Sequence, residues 1–495
     1  MTSDTERRPQ LLILLGVAIL LIFTFSGTRP LMDTSEARYA ETAREMAAEG
    51  HWLIPHLEGH PHLTKPPLTY WLVAVPMALF GRSEFVARLT VGAFSILTVL
   101  LTWRIGTALF GHSVGLLAGW IQLLAVVPLA AANVVTTDPI LTVFETAFMG
   151  CAWQAIAGSD AIVNASWKRW AIAAHVFLGL AFLTKGPAGF AVPAAILVFA
   201  LLARKQVRLS RLFWPPALLV FLGVALPWYA YVLATVPHAL QVWREEAITN
   251  VLEDSNHQFS RLGYLAMLTL GALPGAAALP FVAKDLRQER LSKALSLPTL
   301  FLVTWILVPL IILSAQKTRL PLYVLPLYPP LSILCARSLA QRWTQPARSE
   351  AHLPRWVKPA VVGYCILALA LKYGVSSSTQ RWSPSRDFKP VAETILRDAA
   401  ARGSQPVPVI RENKLGHGLC YYLNSSQIVR INSKNPGTPT APRSLMELMK
   451  ENPPPGKTYY AIIDRDKVHR VLDHVFDRVT TVGLSPAYAV YRLDH

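Results

Sequence analysis

Apolar runs long enough to cross roughly 30 Å of hydrocarbon as helices recur at 11–27, 85–110, 114–131, 139–157, 170–184, 187–203, 213–234, 261–283, 297–314, 320–340 and 357–374. Only a helix satisfies its backbone within lipid without a closed barrel, so the pattern predicts an all-α polytopic membrane bundle of about 11 transmembrane helices. With the N-terminus inside, the basic clusters Lys168/Arg169, Arg204/Lys205/Arg208/Arg211, Lys284/Arg287/Arg290/Lys293 and Arg337/Arg342/Arg348/Arg355/Lys358 all fall on the cytoplasmic side, as the positive-inside rule requires. Residues 28–84, 132–138, 235–260, 315–319 and the C-terminal tail then face the other side, the periplasm of a Gram-negative cell. The first run, Leu11 to Phe25, follows Arg7 and Arg8 but precedes no small-residue cleavage site. It is expected to be an uncleaved span.

From about 376 to 495 the pattern changes to short β-type runs, Val407–Arg411, Gln427–Ile431 and Thr458–Ile463, with helix-like stretches near 388–402 and 466–474. The expected division is a transmembrane domain, 1–375, whose first outward loop is 28–84, and a small soluble α/β domain, 376–495. Pro455-Gly456-Lys457-Thr458 has the ending of a phosphate-binding loop, but Glu451 stands where that motif needs its first glycine, so no nucleotide site is expected.

Composition sharpens the class. Of 495 residues 53% are hydrophobic and only 16% charged, against about 25% charged in soluble domains. The net charge of +17 would suit a nucleic-acid binder, yet the basic residues sit in short loops between apolar runs, where topology and anionic lipid headgroups account for them. No nucleic-acid partner is expected. Cys151, Cys335, Cys365 and Cys420 are scattered and suggest neither a disulfide framework nor a thiolate metal site.

The first outward loop carries the densest chemistry. In the stretch from Asp33 to Met46, Thr34 or Ser35 can cap a helix with acids in its first turn, and Ala37, Ala40, Ala43 and Ala47 form an apolar stripe opposite Glu41 and Glu45. This predicts an amphipathic helix at the membrane surface, with Arg38–Glu41 and Glu41–Arg44 as solvated ion pairs. Asp33 and Glu36 lie where the first span ends, and a carboxylate there can orient or deprotonate an acceptor. Lys65, followed by Pro66-Pro67 and the aromatic pair Tyr70/Trp71, is a fixed cation at headgroup level, suited to a phosphate or, alternatively, to anchoring the loop. Asp138 opens a helix ahead of Pro139, where capping is a sufficient role. Lys185 interrupts two apolar runs, and a buried lysine without a partner is expensive. Lys317, Arg319 and Tyr323 enter the next span together. His51, His56, His60 and His62 in one loop, with His238 and His257 in another, invite a divalent metal tying the loops together, although no HExxH-type spacing is present.

Taken in order, the segment Ser35-Glu36-Ala37-Arg38-Tyr39-Ala40-Glu41, Lys65-Pro66-Pro67, Asp138-Pro139, Thr184-Lys185-Gly186, the stretch from Lys317 to Pro330 and the turn 463–467 resemble the aminoarabinose transferase branch of the integral-membrane glycosyltransferases, related to protein O-mannosyltransferases. The resemblance runs from about residue 10 to the end. It implies a GT-C fold with amphipathic helices in the first outer loop and a cavity open to the periplasm and outer leaflet of the inner membrane. It also implies inverting transfer of a sugar, 4-amino-4-deoxy-L-arabinose or a related one, from undecaprenyl phosphate to lipid A or another envelope acceptor. By the same resemblance Lys65 and Tyr323 match donor-phosphate positions and Asp138 and Lys185 match polar cavity positions; the catalytic candidates are Asp138 and either Asp33, the better match in chemistry, or Glu36, the better match in register. Arg38, Tyr39, Arg261 and Lys317 join the substrate-binding set. The chain departs from its relatives with Ser35 in place of an acid, Thr64 in place of the acid before the lysine, and Gln258 after His257, where Arg261 is the nearest substitute.

Two further readings stand beside this one. A protein hydroxyl could be the acceptor with the same donor, in which case a general base is needed. A lipid transporter or flippase with an outward cavity is the reading from another class, but transporters place their sites near the midplane between repeats, and no internal repeat is visible.

Overall fold

The computed structural model describes residues 4–33, 35–157, 166–252, 260–291, 295–343, 354–411, 416–431, 448, 455–468 and 479–493. Thr34, His257, Gln258, Lys293, Arg348, Glu451 and most of the stretch 466–474 lie outside them, as does the side chain of Arg261. The chain forms two compact units: Met1–Thr24, Leu63–Thr69 and Arg88–Ala370 make the first, and Phe25–His62, Tyr70–Ala87 and Leu371–His495 the second.

Among the described residues the first unit is built mainly of helices. Among the described residues six helices of the chain are long and apolar enough to cross a membrane, and a seventh crossing results if the pair Leu262–Leu270 and Gly275–Leu291, bent by 100°, counts as one span. This makes it a multi-pass membrane protein. The remaining expected runs are helical but shorter or broken. At 114–131 the helix His112–Leu124 ends at an extended Ala125 before the six-residue helix Val126–Ala131. At 187–203 a 3-10 turn, Gly186–Phe190, leads to Ala194–Leu202, nine residues that rise only about 14 Å. Pro187 and Pro193 remove backbone donors there. Large side chains such as Leu219, Ile311 and Ile366 are more than half exposed, which lipid tolerates and water would not. Phe199, Phe301, Trp305, Tyr264 and Tyr328 fill the interior. Gly115 lets two helices touch, since a Cβ there would lie 2.5 Å from the Thr107 backbone nitrogen. Where Leu279–Leu291 meets Tyr328–Trp343, Arg342 pairs with Asp285 at 2.8 Å and Arg337 with Glu289.

The second unit holds a two-stranded hairpin, β1 (His56–Leu57) and β2 (His60–Pro61), and a five-stranded sheet of β3 (Gln405–Arg411), β4 (Val429–Ile431), β5 (Lys457–Asp464), β6 (Val479–Leu484) and β7 (Tyr488–Leu493). The sheet order is β4-β3-β5-β7-β6, parallel for β3 with β4 and β5 and antiparallel for β7 with β5 and β6. Side chains alternate between faces, as strand geometry dictates. Tyr460, Ile462 and Val490 pack with Val391 and Ile395 of the helix Lys389–Ala401, while Tyr459, Ala461 and Tyr491 form a separate cluster. The expected α/β character of the tail is present.

The helix Ser35–Glu49 differs from expectation: Glu36, Glu41, Arg44 and Glu45 are all buried, so its ion pairs are not solvated. The helix His417–Leu423 covers it, with a Cβ at Gly418 only 3.6 Å from Ala37. Arg44 grips both Glu41 oxygens at 2.8 Å, which leaves the expected Arg38–Glu41 pair unformed among the described contacts. Glu45 accepts the backbone N–H groups of Glu58 and Gly59 at 2.6 and 3.1 Å, fixing a hairpin turn whose residues both have positive φ. From that turn the Glu58 side chain reaches His417 Nδ1 at 2.9 Å and Arg430 Nη2 at 2.6 Å.

Burial pulls the Glu58 carboxyl upward, but His417 and Arg430 outweigh it and hold the group below its ordinary value. A depressed folded value means that this stabilisation is complete above the ordinary glutamate pKa and is lost as pH falls through the folded one. Glu58→Ala is therefore expected to lower stability by about 2–3 kcal/mol at pH 7 and to flatten the acid limb below about pH 4.5. Thermal unfolding followed at pH 7 and pH 4 checks both.

Candidate active site

Four of the expected residues meet in one cavity of the first unit. The helix Thr137–Ile156 starts at Thr136, whose side chain makes no cap bond, so Asp138 sits in the first turn rather than at the cap. Its side chain points elsewhere: Oδ1 accepts from Lys185 Nζ at 2.6 Å, and both side chains are about nine-tenths buried. Lys185 is the last residue of the helix Ser166–Lys185, where the carbonyl end of the helix favours a cation. Gly186 follows at φ +61, a conformation that ends the helix there and that side-chain-bearing residues rarely adopt. The Lys185 ammonium also lies 4.0 Å from the ring centroid of Tyr323, within cation–π range. Tyr323 is placed by the 3-10 segment Pro321–Leu327, which its prolines shape.

These side chains line a cavity of about 690 Å³ together with Lys65, whose loop is tied down by a hydrogen bond from Trp243 Nε1 to the Leu63 carbonyl at 3.1 Å. Phe182, Phe190, Tyr229 and Trp243 make an aromatic wall, with ring centroids 5.1 to 5.3 Å apart in successive pairs. The volume suits a drug-sized polar ligand with an apolar attachment.

Glu145 also lines the cavity, is 1% exposed, and lies seven residues beyond Asp138, on the same helix face. Sequence reasoning missed it. The available signal was an acid in the middle of a membrane-length apolar run, which by default marks a functional position. Tyr229 and Trp243 were missed as well, and aromatic residues near membrane interfaces are too common to single them out.

Asp33, Glu36, Arg38 and Tyr39 belong to the second unit. Asp33 is 3% exposed, with Oδ1 accepting the Gly418 N–H at 3.0 Å and Oδ2 without a partner among the described residues. Burial raises its pKa to about 6, against the opposing pull of His417 and the Gly418 hydrogen bond. Glu36 is occupied: Arg29 meets its two oxygens at 2.8 and 3.0 Å, and the Met32 N–H donates at 3.2 Å. Arg38 lies 5.5 Å from the Tyr39 ring, which in turn lies 5.6 Å from that of Tyr70. In the first unit Lys317 is exposed, and its neighbour Thr318 is the one that lines the cavity. Among the described residues no three His, Cys, Asp or Glu side chains are grouped to hold a metal; His51 and His56 stack at 3.9 Å, and His56 Nδ1 lies 2.8 Å from the Ile54 carbonyl oxygen.

Comparison with known proteins bears on this arrangement directly. Residues 64–231 match the family model described as dolichyl-phosphate-mannose-protein mannosyltransferase. ArnT from Cupriavidus metallidurans, solved bound to undecaprenyl phosphate, is similar over 97% of both chains with a TM-score of 0.81 at 21% identity. The chain therefore shares the fold of that ArnT. An oligosaccharyltransferase from Archaeoglobus fulgidus shares it more distantly, with a TM-score of 0.56 at 12% identity over 94% of this chain and 70% of the other. In sequence the chain is similar to aminoarabinose transferases. It is 28% identical to the undecaprenyl phosphate-alpha-4-amino-4-deoxy-L-arabinose arabinosyl transferase of Enterobacter sp. over 73% of this chain and 64% of that relative. The figures for the enzyme of Yersinia enterocolitica are 30%, 65% and 58%. The matched region thus spans less than two thirds of these relatives' length.

Proposed function

We propose that this chain is an inverting glycosyltransferase that moves an amino sugar, 4-amino-4-deoxy-L-arabinose or a close analogue, from undecaprenyl phosphate to lipid A. The observation that carries this reading is the buried Asp138–Lys185 pair beside Tyr323 and Lys65 in one cavity of a GT-C fold. In the transfer an acceptor oxygen attacks the anomeric carbon, the bond from that carbon to the donor phosphate oxygen breaks, and undecaprenyl phosphate leaves with the electron pair. Lys65, Lys185 and the Tyr323 hydroxyl stabilise the charge on the departing phosphate, and a low-dielectric cavity amplifies that effect. Asp138 keeps the Lys185 ammonium oriented. Asp33, with one oxygen unpartnered among the described residues, is better suited than the fully engaged Glu36 to face the acceptor. A lipid A phosphate is already ionised and needs only positioning; a protein hydroxyl, the alternative acceptor, would pass its proton to that carboxylate. Arg38, Tyr39, Arg261 and Lys317 remain candidates for substrate contacts.

The associated topology is eleven crossings with the N-terminus inside, a transmembrane domain of residues 1–375 and a soluble domain of residues 376–495. It places the first outward loop and the tail on the periplasmic face of a bacterial inner membrane, where the donor's sugar and the acceptor are both accessible. Mass spectrometry of lipid A from cells with and without the gene tests the assignment. A pentosamine-sized adduct that depends on the gene supports it; unchanged lipid A, with the gene expressed, rejects this acceptor and directs the search to glycoproteins.

A further inference from the structure

Glu145 is the acidic member of the cavity lining that the proposed transfer leaves unused. It stands about 10 Å, two helical turns, along the helix from Asp138. It is 1% exposed, and its Oε2 has no hydrogen-bond partner among the described residues. An unmatched acceptor buried in apolar surroundings is costly, and the cost is relieved if a ligand brings a donor to it. Charge narrows the kind of donor. The acidic and basic side chains in the described lining are Lys65, Lys185, Asp138 and Glu145. With Lys65 assigned to the donor phosphate and Lys185 held by Asp138 at 2.6 Å, Glu145 has only a hydrogen bond from the Val192 N–H and the more distant field of Lys185, which leaves room for one directly bonded cation.

We infer that Glu145 is a specificity residue that receives the ammonium group of the transferred amino sugar and discriminates against a sugar carrying a hydroxyl there. The inference rests on the donor-site reading above. A carboxylate facing an ammonium makes a charge-assisted hydrogen bond, whereas with a hydroxyl it keeps most of its desolvation cost. A site built around such a bond rejects the analogue lacking it.

The test uses the full chain in lipid nanodiscs with two synthetic donors, undecaprenyl phosphate carrying a 4-amino-4-deoxy pentose and the same lipid carrying the corresponding neutral pentose. The wild type is expected to favour the amino donor in kcat/KM by about 10- to 100-fold, and Glu145→Gln to bring that ratio close to one, with Glu145→Asp restoring part of it. A wild-type ratio near one, or a Glu145→Gln variant that loses activity equally toward both donors, would overturn the inference while leaving the transferase reading intact. If Glu145→Gln does not fold, competition binding to the wild type decides: at least about tenfold tighter binding of the amino donor supports the inference, and equal affinity overturns it. No binding or turnover of either donor would reject the transferase reading itself.

Discussion

Lys185→Ala is expected to reduce sugar transfer by about 10²–10³-fold, the usual effect of deleting one preorganised donor from a site where charge develops. The same change strips Asp138 of its partner at 2.6 Å. Breaking a buried pair from one side costs about 3–5 kcal/mol, because a charge is left uncompensated. Activity and stability therefore fall together in the single variant and must be separated. The double variant Asp138→Asn/Lys185→Met removes both charges with nearly preserved volume. It is expected to recover most of the lost thermal stability while transfer stays at the single-variant level. Thermal unfolding and initial rates on the same preparations check this; a double variant that regains transfer would show that Lys185 acts only by neutralising Asp138.

The second large effect concerns Asp33. Its buried carboxyl has a pKa raised to about 6, above the ordinary aspartate value. A raised folded value means that the stabilisation is fully present below the unfolded pKa and is lost as pH rises through about 6. Above that pH the ionised group is a liability to the fold. Asp33→Asn keeps an acceptor for the Gly418 N–H and removes the buried charge. It is expected to raise stability at pH 8 by on the order of 1–2 kcal/mol and to change little near pH 4. If Asp33 takes the acceptor's proton, transfer drops by about 10²–10⁴-fold, and the wild-type rate rises through about pH 6 in a way the variant lacks. With an ionised lipid A phosphate as acceptor the drop is smaller and the pH profile flatter, so one variant reports on both the carboxylate and the acceptor. Glu36→Gln, which weakens the Arg29 pair, is expected instead to lower stability without a selective effect on the pH profile.

Much of this architecture was legible because lipid leaves a chain few choices. Charges that interrupt apolar runs, Asp138 and Lys185, have few places to go but to each other, and Lys65 and Tyr323 sit beside proline-stiffened backbone that holds them in place. Glu145 was hidden because a single acid barely perturbs the apolar run around it, and its meaning appears only once Asp138 is seen on the same face. Spans broken at Ala125 and Pro193 were read as continuous because hydropathy averages over the break. The burial of the helix Ser35–Glu49 was unreadable for a different reason. Its cover, His417–Leu423, comes from the far end of the chain, and an amphipathic pattern is the same whether water or another helix meets its polar face.

The central claim is that the cavity breaks the bond between a polyprenyl phosphate and its sugar, and it is tested most directly by supplying purified chain with undecaprenyl phosphate-linked 4-amino-4-deoxypentose and lipid A in sealed vesicles. Free undecaprenyl phosphate and glycosylated lipid A are expected in equal amounts, and both are expected to disappear with Lys185→Ala. Intact donor that merely changes leaflet, with no phosphate released, would contradict the claim and identify a lipid transporter instead.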